Sequence, residues 1–340
     1  MAFYAAGKVA QNSGVSSAYE IDLQKNVQEG VVGFPLAGGQ VLLYNHIPWL
    51  IPVLSLAVSE EYAASFTRWA LLMLVIQVGG SFLLAHALQI KNEAPPPPVF
   101  FAGVTLFFPF FQSLLLGQDT SILFFGVALW SVGMLRKNDW LSAVGLALTT
   151  VRPHLCLTLA IPPLIRHRSL GWKFLLAAGI PALASALMLG QEGVLDFLKI
   201  LQISADGTWH GMNEKSMFNL VGLLIRIFPL WDVKSIHVLG WIGYAAGIAL
   251  LGALWMKGED NSRLLSLSIT IALLFAPHLH YHDLTLLVIP LVLVNARNKF
   301  FPEVPLAVSC LALAFKPLYY VLPYLLFSAL LWQAFNMPDA

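Results

Sequence analysis

The amino-acid sequence predicts an all-α fold, a polytopic helical membrane protein with about ten or eleven membrane elements, several of them short, broken helix hairpins. Three observations carry that expectation. Of 340 residues, 58% are hydrophobic and only 11% charged, where soluble domains carry roughly 25% charged residues. Mean hydropathy is +0.74. The apolar residues also fall in runs of helix length separated by brief polar or proline-bearing breaks. A net charge of +1 offers nothing to a polyanion, so nucleic acid is not an expected partner. Cys156 and Cys310 sit in apolar surroundings and read as small core residues rather than a disulfide or metal pair.

Taken in order, residues 1–40 are polar and mixed, with Lys8, Glu20, Asp22, Lys25 and Glu29. No basic stretch followed by an apolar one marks a signal peptide, so the segment is expected as a non-cytoplasmic loop delivered by a preceding helix. A single transmembrane domain is expected over 41–340. Residues 41–58 are apolar but broken by Pro48 and Pro52, and either cross once or re-enter. A clear span follows at 64–88, then QIKNEAPPPP, a stiff connection because a proline run is not helix interior. Spans at 99–116 and 120–135 flank a polar break, GQDTS. The apolar run 140–165 is interrupted at VRPH (151–154), and a span at 172–189 leads into a long polar loop at 190–216. A short piece at 217–230 and a span at 235–256 come next. The runs LLSLSITIALLF and LTLLVIPLVLV then flank APHLHYHD at 276–283. Each is about a dozen residues, roughly 18 Å of helix against ~30 Å of hydrocarbon, so the pair reads as a hairpin at the rim of a cavity. A last pair, 303–315 and 318–335, meets at Lys316-Pro317.

Arg136/Lys137, Arg166/Arg168/Lys173, Lys257/Arg263 and Arg297/Lys299 are expected on the cytoplasmic side. GQDTS, VRPH, the 190–216 loop, APHLHYHD and Lys316-Pro317 then share the opposite face. Each polar junction has two readings. Gln118-Asp119 opens a helix whose N–H groups suit an anion, or Asp119 or Thr120 simply caps it. Arg152 before Pro153 offers a phosphate a planar fork, or snorkels to the interface. Lys316 repeats that device. His278, His280 and His282 alternate, but with no matching Cys or carboxylate cluster they suit hydrogen bonds to phosphate or sugar better than a metal. Asp283 joins them or caps a helix, and Ser216 ends the long loop as a cap or a ligand. Glu20 and Asp22 are solvated loop residues or a general base toward a hydroxyl. Together the junctions describe a cavity for an anionic lipid head group.

The order of FYAAGK, AYEID, YNHIPWLIPVLSLAV, LLGQDTSILF, GLALTTVRPHLCLTLAIPPLIRHR, NEKSMFNLVGLL and APHLHYHDLTLLVIPL resembles glycosyltransferase family 87 of the GT-C superfamily over nearly the whole chain. That superfamily includes polyprenol-phosphate-mannose-dependent mannosyltransferases. The resemblance implies an inverting transfer of mannose or another hexose from a polyprenyl-phosphate donor to a hydroxyl on a lipid or glycan. It implies the non-cytoplasmic face of a bacterial plasma (inner) membrane, with no cofactor and no metal. By the same resemblance Gln118 matches a Gly-Gln pair, and Arg152 stands where a lysine usually precedes proline, with His154 extending the motif. Ser216 matches a loop element loosely, and Tyr281 and Asp283 match a late Tyr-Asp-Leu variant with His282 inserted. The family has a helix and then Asp-Phe shortly before the FYAAG stretch, and that aspartate is its expected base. This sequence opens at Met1-Ala2-Phe3. The expectation is therefore a late start, with Asp22 and Glu20 as the early carboxylates at hand. A flippase or polysaccharide transporter, or a non-catalytic protein binding lipid-linked sugars, would use the same cavity without chemistry.

Overall fold

The computed structural model describes residues 1–92, 98–205, 214–258, 261–295 and 303–336, and among them there are helices and connections but no strand. In chain order the helices are α1 (Ala2–Ser13), α2 (Ile21–Val32), α3 (Ile51–Ala57), α4 (Tyr62–Asn92), α5 (Pro98–Thr105) and α6 (Phe108–Leu115). Then come α7 (Thr120–Leu135), α8 (Asp139–Leu148), α9 (Pro153–Arg166), α10 (Arg168–Ala205) and α11 (Leu220–Ile227). The last five are α12 (Val233–Lys257), α13 (Asn261–Phe275), α14 (Val288–Asn295), α15 (Glu303–Ala314) and α16 (Lys316–Phe335). Among the described residues, four segments are long and apolar enough to cross a membrane: Tyr62–Ala87, Arg168–Ser204, Val233–Lys257 and Pro317–Phe335. Five shorter apolar helices accompany them, among them Thr120–Leu135, Asn261–Phe275 and Tyr281–Val294. The protein is thus an all-α integral membrane protein.

The chain forms two compact units. The first comprises Met1–Leu72 and Ala178–Glu214. Its first forty residues are not a loop, for α1 and α2 occupy most of them. α1 packs on α3 so closely that a Cβ on Gly7 would lie 2.7 Å from Val58 Cγ2 and 3.0 Å from Leu54 O. The polarity of α2 conceals a buried face. Gln24 and Gln28, one turn apart, are both buried. Gln24 donates to Ala18 O and accepts from Tyr44 N, each at 2.9 Å, and Gln28 takes both backbone groups of Leu42, at 2.9 and 3.0 Å. Two glutamines thereby pin the extended chain before Pro48.

Residues 41–58 do not cross as a helix. The helical stretch Pro48–Ala57 is ten residues, about 15 Å against a ~30 Å core. The polar loop expected from 190 is likewise helical as far as Ala205, with only a break at Gly190 (φ 63°, ψ −175°). Gly193, Phe197, Ile200 and Ser204 lie on one helical face of this part of α10. There Gly193 abuts Ser16 O, Phe197 meets Tyr19 at 4.9 Å between centroids, and Ser204 bonds Asn45.

The second unit comprises Met73–Ala177 and Lys215–Ala340. Here most sequence breaks fall as expected: GQDTS between α6 and α7, Arg152 between α8 and α9, and 276–280 after α13. The 99–116 run is itself broken into α5 and α6 at Leu106-Phe107. The proline run falls largely outside the described residues. The core is the α7–α8 hairpin. Cβ atoms on Gly126, Gly133 and Gly145 would lie 2.8, 2.5 and 2.3 Å from backbone of the facing helix, so the two helices meet main chain to main chain. Lys137 in a left-handed turn (φ 54°) and the Asn138 cap on Leu141 N (3.1 Å) reverse the chain between them. The path runs about 24 Å out along α7 and about 20 Å back through α8 and its 3-10 extension Thr149–Val151. Asp119 and Arg152, at the two ends of that path, consequently arrive side by side.

Candidate functional site

The site begins where α6 stops. Gly117 (φ 63°) closes α6 with a left-handed turn, its N–H donating to Leu114 O at 3.1 Å and the Gln118 N–H to Ser113 O at 2.9 Å. This aims the chain at Asp119, the residue before α7. Asp119 has the N-cap position but makes no side-chain cap bond. Its carboxylate, 0% exposed, goes instead to Arg152, with Oδ1 2.8 Å from Nη2. Arg152 is freed from the helix by Pro153, which opens α9. Its Nη1 donates to Val151 O at 3.3 Å, and its Nε lies 3.7 Å from Oδ1 of Asp283. Asp283, 3% exposed, also accepts from Thr120 Oγ1 at 3.3 Å and lies 3.8 Å from His282 Nε2. One guanidinium is held between two buried carboxylates.

The histidines stand in front of that pair. Ring centroids are 5.9 Å apart for His278 and His280, and 5.7 Å for His280 and His282, the latter two stacked. His154, from the first turn of α9, lies within electrostatic reach of His278, Arg152 and Asp283. Its Nε2 is buried without a hydrogen-bond partner among the described residues. His278, His280 and His154 are half-buried, and 11% of the Arg152 side chain is exposed. The accessible face of the cluster is therefore imidazole and guanidinium, with the carboxylates behind. His280 lies in the connection outside the helices, and burial pushes its imidazole down to about 4, so it is neutral at pH 7. Among the described residues no three His, Cys, Asp or Glu side chains converge as a metal site requires.

Tyr281 points away from the cations into an aromatic group. It stacks on Tyr319 at 4.3 Å, and Phe218 and Phe108 meet it edge-on at 5.0 and 5.5 Å. The connection 276–280 is held from the side by the residues ahead of α11. Asn219 Nδ2 donates to Ala276 O at 2.6 Å and the Phe218 N–H to Leu279 O at 2.9 Å.

Of the residues singled out in the sequence, Arg152, His154, His278, His280, His282 and Asp283 come together, with Gln118 half-buried beside Asp119. Two cap readings are corrected. Asp283 caps nothing, since His280 holds the N-cap position of the 3-10 helix Tyr281–Leu287. Ser216 ends a 3-10 turn, and the cap of α11 is Asn219, which accepts from Gly222 N at 2.9 Å. The side chain of Lys316, the first residue of α16, lies outside what is described. Glu20 and Asp22 belong to the first unit and are exposed, Glu20 at the N-cap position of α2 without a side-chain cap bond and Asp22 in its first turn.

Asp119 was visible in the sequence as a cap rather than a partner for Arg152, because the hairpin that joins them is a matter of glycine packing. Asn219 and Arg226 went unseen. Arg226 had a signal, as the lone ionisable residue of the apolar helix LVGLLIRI.

No curated protein matches the chain. The sequence profile of glycosyltransferase family 87 matches residues 45–277, more than half of its length, and that span contains Asp119, Arg152, His154 and Asn219. The chain belongs to glycosyltransferase family 87.

Proposed function

We propose that this membrane glycosyltransferase moves mannose or another hexose from a polyprenyl-phosphate donor to a hydroxyl on a lipid or glycan acceptor. The reaction takes place on the non-cytoplasmic face of a bacterial plasma membrane. The observation that carries the reading is the layered cluster, with imidazoles and one guanidinium in front of two buried carboxylates. A phosphate meets donors on that front, and the buried Nε2 of His154 gains the partner it lacks. Arg152 supplies the fixed positive charge for that phosphate, and the imidazoles of the 278–282 group add hydrogen-bonding nitrogens beside it.

In the transfer, the acceptor oxygen forms a bond to C1 as the C1–O bond to phosphate breaks. The electron pair leaves on the phosphate, and C1 inverts. Arg152 and the histidines stabilise the charge that grows there. The hydroxyl proton goes to a carboxylate, for which Asp22 and Glu20 remain the candidates; their exposure leaves them accessible to an acceptor. Gln118, Ser216 and Lys316 stand as further donor contacts, whereas Tyr281, packed among Tyr319, Phe218 and Phe108, supports the connection from behind.

The test is purified protein in detergent, given a panel of polyprenyl-phosphate hexoses and a membrane-lipid extract as acceptor source. A glycosylated product is expected from at least one donor, falling at least roughly a hundredfold in Arg152→Ala. Detergent removes sidedness, so a transporter gives no product here. No donor consumed, or full activity in Arg152→Ala, overturns the reading.

A further inference from the structure

Around the segment just ahead of α11, five residues close into a ring. Asn219 and the Phe218 N–H take the carbonyls of Ala276 and Leu279, which flank His278 on both sides. Residues 217–219 are held in turn by Arg226, one helix further on. Its Nη1 donates to Met217 O at 2.8 Å and to Lys215 O at 3.0 Å. Its Nη2 donates to the Tyr324 hydroxyl, which itself donates to Asn219 O at 3.0 Å. The guanidinium carbon also sits 5.3, 5.4 and 5.6 Å from the ring centroids of Phe218, Tyr320 and Tyr324. Charge-assisted bonds and cation–π contacts are among the stronger ties available to a side chain. The fold-back is tight, for a Cβ on Gly222 would lie 2.1 Å from Met217 O.

We propose that Arg226 and Asn219 are positioning residues for the histidine connection: Arg226 clamps 217–219 between α11 and α16, and Asn219 passes that fixation to 276–279, so that His278 and His280 meet the donor phosphate in register with Arg152. Neither residue touches the reacting atoms. The backbone of 276–280 would otherwise have to satisfy its carbonyls by moving toward the imidazoles, which changes where they point. The role of the imidazoles rests on the transferase reading; the clamp itself does not.

Two variants separate positioning from folding. Arg226→Lys keeps the charge but loses the planar fork that reaches Met217, Lys215 and Tyr324 together. Asn219→Ser keeps a capping oxygen for Gly222 but cannot reach Ala276. In each, carbethoxylation of the histidines by diethyl pyrocarbonate is followed by peptide mass spectrometry on detergent-purified protein, with no donor present. His278 and His280 are expected to react severalfold faster than in the parent, while His237 in α12 keeps its rate. With a donor, kcat is expected to fall roughly 10- to 100-fold with KM changed less than threefold, and Asn219→Gln to recover part of it. Unchanged reactivity of His278 and His280 in both variants overturns the proposal, as does a faster rate at His237 equal to theirs, which marks general loosening. If the parent transfers no sugar, the carbethoxylation result still decides the clamp while the transferase reading falls separately.

Discussion

Two irregular stretches, 41–47 in the first unit and 276–280 in the second, meet the same difficulty in different ways. Each carries backbone N–H and C=O groups outside any helix, beside apolar segments that offer them nothing. In the first, Gln24 and Gln28 supply neutral amides, and the Tyr19 hydroxyl adds a bond to His46 O at 2.5 Å. In the second, the backbone is satisfied by Asn219 and Phe218, while the side chains it carries include two imidazoles, His278 and His280, facing an ionic core. Neutral amides do not titrate, so the glutamine bonds themselves do not respond to pH. Imidazoles beside buried carboxylates do. The contrast separates a stretch fixed by neutral amides from one whose imidazoles face an ionic core.

The contrast breaks most severely at the ionic core. Asp119→Ala leaves Arg152 without its shortest partner in a buried setting, and a loss of about 3–5 kcal/mol is expected. Thermal unfolding in detergent reads it, and a loss under about 1 kcal/mol would mean that water already solvates the pair.

Asp22→Asn and Glu20→Gln sharpen the assignment of the base. Both residues are exposed, so each should change stability by no more than about 0.5 kcal/mol. Transfer should fall roughly 10²–10⁴-fold in whichever one serves as base. Near-parent rates in both variants would remove Asp22 and Glu20 from the chemistry.

Gln28→Ala tests the neutral lock. It strands the N–H and C=O of Leu42, and a cost of about 1–3 kcal/mol is expected, with the same deficit at pH 5 and pH 7. A deficit that grows at low pH would deny the lock its neutrality.

The smallest effect is the pH response of the other stretch. His280 is held well below its ordinary value of 6.5, down to about 4. The unfolded chain takes up its proton first, so this contribution is complete above about pH 6.5 and is lost as pH falls toward about 4. A decline in melting temperature of a few degrees over that window is expected, flattened in His280→Gln. An unchanged slope in the variant would assign the decline to another group.

How far the sequence could be read follows from what each element needs. Polar breaks in apolar runs announced the junctions at 117–119, 151–154 and 276–283, because a helix in hydrocarbon must end where proline, glycine or charge intervenes. The second part of α10 was missed because Gln191, Glu192, Asp196, Lys199 and Gln202 punctuate an otherwise apolar stretch, while the buried face carries only Gly193, Phe197, Ile200 and Ser204. α2 was missed because its core residues are glutamines. The cap readings of Asp283 and Ser216 failed for different reasons: Asp283 lies inside the 3-10 helix Tyr281–Leu287 and pairs with Arg152 and Thr120, while Ser216 ends a 3-10 turn and α11 starts later, capped by Asn219.

By itself the sequence determined the all-α membrane class, the family, the order of the helices and the residue types at each junction. Those follow from local chemistry, hydropathy over a helix length and backbone-breaking residues, which need no knowledge of neighbours. Only the tertiary structure decided that Asp119 belongs to Arg152 and Asp283, that Asn219 holds the histidine connection, and that Arg226 sits among three aromatic rings. Those pairings join residues as distant in sequence as Arg152 and Asp283. The first of them depends on how closely α7 and α8 approach through Gly126, Gly133 and Gly145, a distance set by packing.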